Sequence, residues 1–141
     1  ETAEASWYDY SWQYKKTIAI DNTAGGEITD YQIVLDSTQI SFTEVFSNAQ
    51  ESGADIRIVN SDDSTLLNHW IEDFSVAGTS AKIFVKVPLI SAGETKTIYL
   101  YYGNATASTT SSGDDTFIFF DDFEDDVIDT NKWTKSGNRA D

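Results

Sequence analysis

Cysteine and methionine are absent from this 141-residue chain, and proline and histidine each occur once. Each scarcity closes off some chemistry. Without cysteine there are no disulfides and no thiolate metal ligands, and the redox character of the compartment leaves no trace in the sequence. The chain begins at Glu1 without methionine, which fits a mature secreted chain relieved of its signal peptide, or an excised segment; no targeting sequence is left to read. Basic residues are scarce too: nine Lys and Arg stand against 24 Asp and Glu, a formal charge of −15. Such a field repels phosphate backbones, so nucleic acid is excluded as a partner. The same excess keeps monomers in solution and favours divalent cations. No stretch approaches the roughly 18 consecutive apolar residues needed to cross a bilayer, and no membrane span is expected.

Catalytic signatures are equally thin. His69, the single histidine, lies within the apolar pattern LLNHWIEDF with no motif-borne serine nucleophile nearby, and reads as structural. Glu72 and Asp73 are adjacent on a predicted strand and point to opposite faces, so they cannot act as a glycosidase pair across a cleft. No phosphate loop, HExxH or EF-hand spacing occurs. Enzymatic activity is not expected.

What the chain does have is alternation. Lys82 to Asn104 (KIFVKVPLISAGETKTIYLYYGN) repeats every two residues and predicts a β-hairpin. Ile83, Val85 and Val87 share one face of its first arm; Pro88 ends that arm, and residues 91–94 reverse the chain. In the second arm Ile98, Leu100 and Tyr102 oppose Thr97, Tyr99 and Tyr101, so both faces meet something. Further strands are predicted over 13–20, 31–36, 55–59 and 66–74, with 40–46 either a strand or a short helix. Asp114 to Asp121 (DDTFIFFD) reads as a last apolar strand. Seven to eight short antiparallel strands at regular spacing predict an all-β, jelly-roll-like β-sandwich.

The expected organisation is a flexible, aromatic N-terminal segment (1–12), the sandwich (13–104), a small-residue connector (105–113) and an apolar strand with an acidic tail (114–141). Five rings crowd residues 7–14, and they either staple onto the sheet or form a sugar-stacking platform with Trp7, Trp12, Tyr99 and Tyr101 as its surfaces. No cofactor is required. Asp121, Asp122, Asp125 and Asp126 are candidate calcium ligands against the simpler reading of an acidic linker, and the turn Asn60 to Ser64 is a lesser cation candidate. Asn104-Ala105-Thr106 is a glycosylation sequon at a turn. Phe117, Ile118, Phe119 and Phe120 either close their own sandwich or add to the sheet of a second copy, which makes copies of the chain the expected partners alongside surface glycans.

The runs WQYKKTIAIDN, GADIRIVNSDDSTLLNHWIE, AKIFVKVPLISAGETKTIYLYYGN and FIFFDDFE, in that order, resemble the domain of unknown function family 2341 from about Trp12 to Glu124. That resemblance implies a secreted or cell-surface module of a bacterium or archaeon, often set beside lectin-like or glycan-processing domains, and carries over no catalytic residue. The tail DDFEDDVIDTNKWT is similar to the opening of a laminin-G or concanavalin-like sandwich. Together these readings predict a structural or adhesive extracellular module, possible as a filament subunit, with carbohydrate binding or an accessory role beside a glycan-degrading enzyme as alternatives.

Overall fold

The computed structural model describes residues 7–134 and 136–137. Seven strands and two short helices follow one another: β1 (Tyr14–Asp21), β2 (Ile28–Asp36), α1 (Thr43–Asn48), β3 (Arg57–Val59), β4 (Leu66–Leu67), β5 (His69–Ser75), β6 (Ser80–Ile90), β7 (Thr95–Tyr102) and α2 (Gly113–Thr116). They form two antiparallel sheets in the orders β1-β7-β3-β4 and β2-β6-β5. The fold is the expected all-β sandwich.

Its core is made by alternation. Ile83, Val85 and Val87 of β6 are fully buried, as are Ile98 and Leu100 of β7, with Ile18, Leu35, Ile58 and Leu67 in the same cluster. Each such side chain contributes about 1.5–3 kcal/mol on leaving water. This explains the first correction to the sequence reading. The two arms of Lys82 to Asn104 are not a hairpin, because β6 belongs to one sheet and β7 to the other. Paired in one sheet, their apolar faces would need a further layer to cover them; in opposite sheets each covers the other. The chain crosses between layers at residues 91–94, where Gly93 takes φ +70°. The β1–β2 connection crosses in the same way, and the two crossings are bonded: Asn22 N–H donates to the Glu94 carbonyl (3.0 Å), Gly93 N–H to the Gly25 carbonyl (3.1 Å), and the Asn22 amide to the Ser91 carbonyl (2.9 Å).

Other boundaries shift for identifiable reasons. β6 runs through Pro88 to Ile90 instead of ending there. β5 pairs with β6 only as far as Val85, so at Pro88 the strand has β2 alone as neighbour, and Asp30 interrupts the β2 register at that point with φ +49°. The predicted strand 66–74 is two strands: β4 pairs with β3, the chain turns at Asn68, and β5 pairs with β6 in the other sheet. Residues 43–48 take the helical alternative, since Phe42 and Phe46 meet on one side (5.7 Å between rings) with Val45 buried beside them.

The last predicted strand does not form. Gly113–Thr116 is a helical turn capped by Ser112, whose hydroxyl accepts from the Asp115 N–H, and residues 117–120 belong to no strand. Phe117 and Phe120 both pack against Trp70, at 5.9 and 4.8 Å between rings, and stack on each other. Residues three apart point to opposite faces of a strand, so this shared seat requires the non-extended backbone. Residues 105–113 are tied to both sheets: the Arg57 guanidinium donates to the Ser108 carbonyl (2.7 Å), and beside β5 the Ile71 N–H donates to the Ser111 hydroxyl (2.8 Å) and Ser112 N–H to the His69 carbonyl (2.9 Å). These bonds cover the edge of β5.

Candidate functional site

The outer face of β1-β7-β3-β4 carries a second small core, of Trp12, Val59 and Tyr101 with Trp7, Tyr8, Tyr99 and Ala107 against them. Residues 7–12 fold across this face, so that part of the N-terminal segment is a staple on the sheet; residues 1–6 lie outside the described residues. Trp12 is 8% exposed, its indole N–H donates to the Asp55 carbonyl (2.6 Å), and the Arg57 guanidinium sits 5.0 Å from its ring. Tyr101 is fully buried with edge contacts to Trp7 and Tyr8. Neither ring offers a free face to a sugar, which corrects the stacking-platform reading for these two. Trp7 and Tyr99 are half-buried, and both rings face the Lys15 ammonium instead.

Beneath that staple lies a polar constellation that sequence reading missed. Lys15 Nζ is 2.7 Å from Asp63 Oδ2, and the Tyr101 hydroxyl donates a short hydrogen bond to Asp63 Oδ1. The backbone N–H of Tyr8 donates to the Tyr101 oxygen (3.1 Å). Burial works to lower the Lys15 ammonium, but the bond to Asp63 and the electrostatic pull of the Tyr101 oxygen and the Asp63 carboxylate outweigh it and hold it above its ordinary range. Burial first, then the bond to Asp63, pushes Tyr101 up, so it stays a protonated donor. The only signal in the sequence was alternation itself: Lys15 and Tyr101 sit opposite one another in the β1–β7 register.

The aspartates of the acidic run do not converge. Asp121, Asp122 and Asp125 each turn a carboxylate oxygen onto the N–H two residues ahead, and Asp121 also accepts from the Trp133 indole. Asp126 lies at φ +55°. Among the described residues no three acidic or imidazole groups are placed to hold a metal ion. In the Asn60 to Ser64 turn, Asp62 caps Ser64 and Thr65, and those bonds, the Thr65 hydroxyl foremost, pull its pKa to about 2. Asn104 is half-buried, its carbonyl accepts from Gln50, and its side-chain oxygen accepts from the N–H and hydroxyl of Thr106.

Two kinds of unmatched surface remain. Among the described residues nothing pairs with the outer edges of β1 and β2 on the open side of the sandwich, and a slot of about 180 Å³ between them is lined by Ile18, Ile20, Ile33, Val34, Leu35 and Ile40 among others. At the other extreme, residues 118–133 display apolar side chains to solvent. Ile118 is 99% exposed, and Phe119, Phe123, Val127 and Ile128 are exposed as well. Trp133 packs against Phe119 and Phe123, and with Ile128 forms a shallow apolar hollow of about 240 Å³. The assembly candidates thus divide: Phe117 and Phe120 seat on their own sheet, while Ile118 and Phe119 face outward. A larger open cleft, about 700 Å³, lies over α1 and is lined by Ser37, Ser41, Thr43, Ser47 and Thr79 with Phe42, Phe46 and Val76. It has no ionisable side chain in its lining.

A family model described as domain of unknown function (DUF2341) matches residues 52–136, more than half of the chain. The chain belongs to this family. The DUF2341 match runs from the loop before β3 through the 105–113 segment and α2 without a break, in keeping with the bonds that tie that segment to both sheets. No curated protein and no solved structure gives a significant match.

Proposed function

We propose that this DUF2341 chain is a non-catalytic structural module of an extracellular surface, and that its work is assembly with further copies of itself. The observation that carries this reading is the coexistence, on one molecule, of an apolar slot between two unpaired strand edges and an outward-facing apolar run at 118–133. The two features differ, so a contact between them is head-to-tail and, where the rotation between successive copies does not close a ring, repeats along a line. Unpaired edges accept an added segment through backbone hydrogen bonds, and the slot takes its apolar side chains. The contact does not use Phe117 and Phe120, which already cover Trp70 and Phe84 in the same chain.

Sedimentation velocity and electron microscopy across a concentration series test it. Concentration-dependent linear oligomers are expected, and they are lost in an Ile118→Asp/Phe123→Asp variant whose melting temperature is unchanged, because both side chains are already exposed. A strict monomer at every concentration would refute the reading. Retention on an immobilised glycan that disappears in Tyr99→Ala would replace it with sugar binding.

A further inference from the structure

Asp63 is 5% exposed, the Tyr101 hydroxyl holds one of its oxygens, and Lys15 Nζ lies 2.7 Å from the other. The rings of Trp7, Tyr99 and Tyr101 stand 5.1, 4.6 and 5.7 Å from the same nitrogen and hold it over their faces. Asp63 is also fixed from behind: its N–H donates to the Asn60 carbonyl (2.9 Å) and its backbone takes φ +55°. We propose that Lys15 and Asp63 condense to an intramolecular amide, a covalent tie between β1 and the loop that follows β3.

An amine one hydrogen bond from a carboxyl group is within attacking reach of its carbon, and groups held in that way react at effective concentrations of about 10⁵ M or more. The resting state is the ion pair, which the surrounding rings favour. Reaction passes through the minor neutral pair, in which one ammonium proton has moved to Asp63 Oδ2. The Nζ lone pair then forms the C–N bond at Cγ while the carbonyl electrons move onto Oδ1, where the Tyr101 O–H stabilises the charge. A second proton passes from Nζ to the Oδ2 hydroxyl. The Cγ–Oδ2 bond breaks, and that oxygen leaves as water. Ammonium and carboxylate become amide and water with no oxidant, reductant or cofactor. Because the neutral pair is minor, the step follows folding slowly.

This inference is independent of assembly, since a monomer carries it. The folded full chain is incubated at neutral pH, denatured and weighed by mass spectrometry. Its mass is expected about 18 Da below that of the sequence, with a branched peptide joining Lys15 to Asp63 and no tryptic cleavage after Lys15. Lys15→Arg is expected at its full sequence mass, whereas Asp63→Asn closes the same amide by losing ammonia, about 17 Da. Full mass in the incubated wild-type chain would overturn the proposal. So would a water loss placed on a peptide that lacks Lys15, which marks a succinimide at the aspartate.

Discussion

His69 is 3% exposed, and burial, opposed by the nearby Leu67 carbonyl and reinforced by the Arg57 charge, lowers its pKa from 6.5 to about 4. Its Nε2 is buried without a hydrogen-bond partner. Between these two pKa values the unfolded chain binds a proton that the folded chain does not, so stability is full above pH 6.5 and falls as the pH drops toward 4. The shift corresponds to roughly 3 kcal/mol. Urea unfolding at pH 7 and pH 4.5 should show this loss, and a His69→Gln variant should lose less over the same interval. The loss from Asp62 belongs to a lower window, since a carboxyl with its pKa near 2 loses its contribution only as the pH falls from 3.8 through 2. His69 could be read as structural from its apolar surroundings. Trp12 could not be placed, because a ring beside a strand has the same sequence whether it faces solvent or the Asp55 carbonyl.

At the scale of the element, Gly113 decides how the C-terminal segment sits. A Cβ there would come within 2.3 Å of the Phe120 ring, so Gly113→Ala must push that ring from Trp70. The expected cost is about 1–3 kcal/mol, accompanied by a red shift in tryptophan emission as Trp70 is uncovered. Strands with period-two faces were legible in the sequence, and the burial of Ile83, Val85 and Val87 matches the pattern. Which sheet each strand joins was not. The alternation of β6 and β7 fits a hairpin and a layer-crossing arch equally well, and only the need to cover two apolar faces separates them. The strand predicted at 114–121 failed because apolar residues at 117 and 120 carry a three-residue spacing that a run of rings conceals.

For the whole molecule, the net charge of −15 bears on the proposed assembly. Asp121, Asp122, Glu124, Asp125 and Asp126 surround the apolar run, so like charges meet as copies approach. Repulsion of this kind is screened over about 10 Å at 0.1 M salt. Association should therefore strengthen between 20 and 300 mM salt, by roughly tenfold or more, and sedimentation at the two concentrations measures it; the opposite dependence would point to a basic partner. The outer faces of both sheets are occupied in large part by the chain's own aromatic residues.

The register of β1 against β7 also bears on tension. Tyr14, at the start of the first strand, lies opposite Tyr102, at the end of the last, so entry and exit share one end of the sheet. A load drawing those two points apart peels the pair rung by rung and never shears eight rungs together. Lys15, on the second rung, is where the peeling front meets Asp63, so that contact resists the opening of the pair.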